Sequence, residues 1–99
     1  MFGRNYERLQ HLLGAYFHQD WPCESADWQG VVRQYRGDVS PAEAVATADE
    51  IVRLLGEGQP EAELADRLLR EFACYYAPRP DLGGPTFRKW LSRVAAALR

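Results

Sequence analysis

The sequence predicts an all-α protein, one domain over residues 1–99 with about five helices around an aromatic-rich core. Three observations lead there. Apolar residues recur at three-and-four spacing in segment after segment, which is the spacing of a helix with one buried stripe. Helix-start chemistry, a capping residue followed by a proline or an acid, precedes several of those segments. No run alternates apolar and polar residues for long enough to make a strand. At 46% hydrophobic and 26% charged residues, the 99-residue chain has the composition of a soluble globular protein with one modest core.

The first helix is expected from about Tyr6 to Gln19, with Asn5 as its cap and Tyr6, Leu9, Leu13, Tyr16 and Phe17 as its buried stripe. Gly14 costs about 1 kcal/mol against alanine inside a helix, which points to a close backbone approach there. Pro22 ends this helix, and Cys23, Glu24 and Ser25 connect it to a second, from Ser25 or Ala26 to about Arg36. Trp28, Val31, Val32 and Tyr35 form its core face, and Trp21 and Trp28 flank the connector as an aromatic corner. Ser40-Pro41-Ala42-Glu43 is the clearest local signal: a serine cap, a proline in the first turn and a glutamate placed to close a capping box. The third helix then runs to about Leu55 and is expected to bury Val45, Ala48, Ile51, Val52 and Leu55. Gly56 and Gly58 stop it. Pro60 opens the fourth, with Leu64, Leu68, Leu69 and Phe72 inward and Glu61, Glu63, Asp66 and Arg67 outward, so that helices three and four make an antiparallel hairpin. Ala73 to Pro85 carries too many prolines and glycines for regular structure. Thr86 caps the last helix, whose core stripe is Phe87, Trp90, Leu91, Val94 and Leu98.

Composition and motifs exclude several functions. The longest apolar runs fall far below the ~20 residues that cross a bilayer, and no secretory signal is legible at the N-terminus, so a cytoplasmic location and no membrane partner are expected. Cys23 and Cys74 then read as free, semi-buried thiols. His18, Asp20 and Cys23, with His11 one face-repeat earlier, are metal-ligand types, but their spacing matches no zinc pattern, and no metal or cofactor is expected. Paired acids such as Glu61 with Glu63 or Asp49 with Glu50 read as solvent-facing, and no nucleophile or phosphate loop is present, so no enzyme is expected. Charge is uneven: residues 41–71 carry a net −5 and residues 72–99 a net +4. The acidic middle argues against nucleic acid as a partner and would suit a basic protein, although acids in such numbers also serve simply to solvate two helices.

A binding module remains, with two candidate surfaces. The first is the corner His18, Gln19, Asp20, Trp21, Glu24 and Asp27; the second is the elbow Tyr75, Tyr76 and Arg79. Trp21 and one of the two tyrosines also read as core, and Asp20 either bonds its own turn or makes a contact. A helical interaction or regulatory adaptor, able to homodimerise through the aromatic corner, is the alternative function.

The run Leu13-Gly14-Ala15-Tyr16-Phe17-His18-Gln19-Asp20-Trp21 resembles the opening signature of the small immunity proteins of contact-dependent growth inhibition (CDI) systems. Ser40-Pro41-Ala42-Glu43, Cys74-Tyr75-Tyr76 and Phe87-Arg88-Lys89-Trp90-Leu91 follow in the family's order and extend the resemblance over nearly the whole chain. It implies a protein that binds and neutralises the C-terminal toxin domain of a large secreted effector, with a basic nuclease as the expected toxin.

Overall fold

The computed structural model describes residues 6–78 and 80–99. They form six α-helices and, among the described residues, no strand. These are α1 (Glu7–His11), α2 (Trp21–Glu24), α3 (Trp28–Asp38), α4 (Pro41–Leu55), α5 (Glu61–Asp66) and α6 (Phe87–Leu98). Two helices widen before they end. α1 continues as a π-helical turn over Leu12–Tyr16, and α5 as another over Arg67–Glu71. The expected five helices are therefore present, and the sixth is the single turn α2, in the place expected to be an irregular connector.

The first helix stops at Tyr16 and not at Gln19. Its last turn closes with the Phe17 N–H on the Leu12 carbonyl at 3.3 Å, five residues back, and Phe17 then leaves helical geometry. Pro22 does not end α1; it sits in the first turn of α2, where a missing N–H costs nothing. α3 begins at Trp28 because Asp27 caps it, the carboxylate accepting the Gly30 N–H at 2.9 Å. Asn5, the expected cap of α1, lies outside the described residues.

α4 and α6 make the most extensive helix pair, with α1 packed on α4 and α3 and α5 on α6. The buried stripe of α6 is the expected one: Phe87, Trp90, Leu91, Val94 and Leu98, joined by Ala95. On α4 the stripe is turned by about one residue from expectation. Ala44, Thr47, Ala48, Glu50, Ile51 and Leu54 are buried, whereas Val45 and Val52 face solvent. On α5 and its π turn, Leu64, Leu68 and Phe72 go inward, and Leu69 does not. Cys74 is buried and Cys23 exposed, so only one of the two thiols is in the core. Burial pushes the Cys74 thiol up to about 12, which leaves it chemically inert at neutral pH.

Several helix ends are satisfied from a distance, and acids do most of it. The N-terminal turn of α1 has no side-chain cap of its own. Glu50, buried on α4, supplies one: it accepts the Leu9 N–H at 3.0 Å and faces Arg8 at 3.4 Å. The expectation that Glu50 lies on a solvent-facing turn is thus overturned. Glu61 does the same for α6, accepting the Phe87 N–H at 2.6 Å and the Arg88 N–H at 3.3 Å, next to the local Thr86 cap on Lys89. Arg88 in turn donates to the Leu55 carbonyl at 3.0 Å and the Gln59 carbonyl at 2.5 Å, closing the C-terminal end of α4. Ser40 caps α4 as expected, but Glu43 turns its carboxylate to Arg8 at 3.6 Å, so only the serine half of the capping box forms.

Candidate functional site

The two π turns explain how distant stretches meet. A wide turn leaves room along one side of a helix, and here each helix uses that room for the other. A Cβ on Gly14 would lie 3.4 Å from the Phe72 carbonyl oxygen, the close approach that its glycine suggested. Beyond the second π turn, Ala73 takes a left-handed conformation (φ 54°), and the Cys74 N–H returns to the Leu68 carbonyl at 3.0 Å. The extended strand of chain that follows places the Tyr75 N–H on the Phe17 carbonyl at 2.8 Å. The exits of α1 and α5 are thereby laid side by side, and the corner and the elbow, 58 residues apart along the chain, become one edge of the molecule.

The floor of that edge is aromatic. Trp90, fully buried, stacks on Tyr76 at 4.5 Å between ring centroids and meets Phe17 edge-on at 5.2 Å. Trp21 packs against both Phe17 (5.9 Å) and Tyr76 (5.6 Å), and Trp28 meets Trp90 at 6.3 Å from the far side. Trp21 and Tyr76 are half-buried and carry the cluster to the surface. Burial holds the Tyr76 phenol above its ordinary range. These rings interlock edge-to-face or offset, arrangements that add about 0.5–1.5 kcal/mol per pair beyond area burial and fix the floor's shape.

Polar side chains rim the floor. His18, half-buried, accepts the Asp20 N–H on Nδ1 at 3.0 Å and presents Nε2 to the Glu24 carboxylate at 3.3 Å. Asp20, Gln19 and Tyr75 are exposed, Tyr75 at 59%. Both nitrogens of His18 are therefore occupied by its own turn. His11 is elsewhere, edge-on to the Tyr16 and Tyr35 rings. Among the described residues no group of three or more His, Cys, Asp or Glu is placed to hold a metal ion. No helix among them is long and apolar enough to cross a membrane.

Of the nine residues singled out in the sequence, seven come together here: His18, Gln19, Asp20, Trp21, Glu24, Tyr75 and Tyr76. Asp27 lies three residues past Glu24 but spends its carboxylate on the α3 cap. Arg79 lies outside the described residues. Sequence reasoning missed the part played by Trp90, read there only as core, although its place three residues after Phe87 and four before Val94 fixes its inward direction.

Comparison with known proteins accounts for this arrangement. The model of the CdiI immunity protein family matches residues 5–98. Among solved structures, the chain is similar to one in the crystal structure of a CdiA-CT/CdiI complex from Y. kristensenii 33638, with 25% identity and a TM-score of 0.84. That alignment covers 96% of this chain and 99% of the other. No match was found among curated proteins. With a family model spanning almost its entire length, the chain belongs to the CdiI immunity protein family.

Proposed function

We propose that this chain protects the cell that makes it by binding, one to one, the toxic C-terminal domain of a cognate CdiA effector in the cytoplasm, and that this toxin is a nuclease. Family membership and the likeness to a chain from a CdiA-CT/CdiI complex support the toxin as partner. The observation that carries the choice of surface is the Tyr75 N–H to Phe17 carbonyl bond, which joins two stretches of the family signature into one edge. Trp21 and Tyr76 anchor the interface there, rigid aromatic surface being the commonest source of binding energy at such contacts. Asp20, Glu24, Gln19 and Tyr75 supply its polar rim.

No chemistry is needed for this role; the protein acts by occupying the toxin. Over a basic cleft we place Asp20, with Glu24 shared with His18, and not the acid-rich stretch of residues 41–71, where among the described residues Glu63 is the one acid without an ion pair or hydrogen bond. In that stretch Glu43, Asp49, Glu50, Glu57, Glu61, Asp66 and Glu71 each have a partner within the chain. An acid already engaged by an arginine or a helix end has little charge left to steer a basic partner.

The test is binding of the inactivated toxin domain encoded next to this gene, paired with growth of cells that express the active toxin with and without this chain. Tight one-to-one binding, rescue of growth, and arrest of nucleic-acid cleavage by an equimolar amount of this chain are expected. Rescue without any effect on nucleic-acid integrity would remove the nuclease; absence of both binding and rescue would remove the immunity reading.

A further inference from the structure

α6 presents a second face beside the aromatic edge. A cleft of about 360 Å³ opens between the Gly83-Gly84-Pro85 turn and the first turns of α6, with Lys89 and Arg93 on its helix wall. These two cations are one helical turn apart, both exposed, and among the described residues neither makes an ion pair. That sets them apart from Arg8, Arg67, Arg70, Arg88 and Arg99, each of which is held by a carboxylate or a carbonyl. Two like charges at this spacing repel by a few tenths of a kcal/mol and add nothing to the fold that a neutral pair would not. The helix end is not itself the attraction, because Thr86 and Glu61 already take the Lys89, Phe87 and Arg88 N–H groups. The side chains are.

The cleft adjoins the edge described above. Arg93 lies close enough to Tyr76 for its charge to bear on the phenol, and Tyr76 is stacked on Trp90, one residue from Lys89. From Asp20 and Glu24, across Trp21 and Tyr76, to Arg93 and Lys89, the surface therefore passes from acidic through aromatic to basic.

Resting on the immunity reading, we infer that the Lys89/Arg93 cleft is a second contact for the same partner and takes an acidic side chain from the toxin domain. The charge layout favours a protein carboxylate over a nucleic acid. A surface with two cations at one end and Asp20 and Glu24 at the other would repel a continuous phosphate backbone at its acidic end, whereas a folded partner can offer opposite charges to the two ends. A mixed-charge contact of this kind also fixes orientation, since a toxin turned end for end would meet like charges at both ends.

The experiment measures affinity and association rate of the inactivated toxin domain for wild type, for Lys89→Glu with Arg93→Glu, and for the milder Lys89→Gln with Arg93→Gln. Circular dichroism and thermal melting confirm that both variants fold. The charge-reversed pair is expected to weaken binding by about 100-fold or more and the neutral pair by about tenfold, with the gap between them narrowing as salt rises. On complex formation the Gly83 and Gly84 amides are expected to gain protection from hydrogen exchange. Binding of folded charge-reversed protein within twofold of wild type, or no protection at Gly83 and Gly84, overturns the cleft contact while wild-type binding keeps the immunity reading. Loss of wild-type binding itself overturns both.

Discussion

The acid-rich stretch of residues 41–71 and the aromatic edge use charge in opposite ways. That stretch holds most of the acids, which in the sequence suit a basic partner or simply solvate two helices; its two helices do not pack as the expected hairpin, since α4 lies on α6 and α1, and α5 on α6. In the fold only Glu50 is buried, but most of those acids are paired within the chain: Glu50 caps α1, Glu61 caps α6, Glu57 takes the Tyr6 hydroxyl and Arg67, and Asp49 meets Arg99. The edge has fewer charges, but Asp20, Gln19 and Tyr75 are exposed above rings that are already locked in place. Density of charge along the chain is therefore a poor guide to unpaired charge, and the edge is proposed as the interface because Asp20 lies exposed beside rigid aromatic surface.

Substitutions can separate the two. The largest effect on stability belongs to Trp90, whose ring touches Phe17, Trp28, Tyr76 and Phe87. Trp90→Ala should cost about 3–5 kcal/mol in urea unfolding, since the cavity left under the edge cannot collapse around so large a loss. Next comes Glu50→Ala, which strips the α1 amide of its acceptor and leaves Arg8 with Glu43 alone. About 1–3 kcal/mol is expected, with toxin affinity unchanged at temperatures where the protein stays folded. A Glu50→Ala protein that is fully stable yet binds poorly would bring the acids of residues 41–71 into the interface.

Tyrosines give a pH signature that neither region shows alone. The Tyr16 hydroxyl donates to the Asp38 carboxylate at 2.7 Å, and that bond, helped by burial and by the negative charge of Asp38, raises the phenol to about 12. Tyr6 is raised mainly by burial and by its bond to Glu57, and Tyr35 by burial. In each case the folded value lies above the unfolded one near 10, so the contribution to stability is complete below pH 10 and is lost as pH rises through the folded value, which for Tyr16 is about 12. Thermal melts should fall steeply over that window. Tyr16→Phe should lower the melting temperature at neutral pH by the equivalent of about 1 kcal/mol and make the alkaline fall shallower; identical alkaline slopes for the two proteins would remove the Asp38 bond as its cause.

What the sequence made legible was local. Helix starts with a side-chain acceptor at the right offset, Ser40 on Glu43 and Thr86 on Lys89, appear in the fold where expected, and so does the stripe of α6. The misjudged positions depend on distant partners. Val45 and Val52 read as core because their spacing is helical, but Thr47 and Glu50, bonded to Tyr35 and Leu9, set the inward face of α4 one residue away. The signal was present: Thr47, Glu50, Ile51 and Leu54 fall on one stripe, and a buried acid is acceptable there only because a helix end needs an acceptor. The π turns were not legible, since a fifth residue per turn leaves no trace in apolar spacing over so short a stretch. Without them the first helix was expected to swallow His18 and Gln19, and the corner and elbow could be named but not joined.

The smallest stability effects should fall on the residues proposed for binding, and this sharpens the contrast between the edge and the acid-rich stretch. Asp20, Glu24 and Tyr75 are exposed, and the bond that ties Tyr75 to Phe17 is made by a backbone N–H that substitution keeps, so Asp20→Ala, Glu24→Ala and Tyr75→Ala should each shift stability by no more than about 0.5 kcal/mol. In the Asp20 case the loss is smaller still, because it is the backbone N–H, kept in the variant, that bonds His18. Their effect on toxin affinity should be large by comparison, about tenfold for each acid and more for Tyr75 if its ring enters a pocket of the toxin. The acids should act chiefly through association rate and lose their effect in high salt, whereas Tyr75 should act through dissociation and keep its effect. A surface on which all three variants bind as wild type would leave the aromatic edge as folding machinery alone and move the interface to another face of the helices.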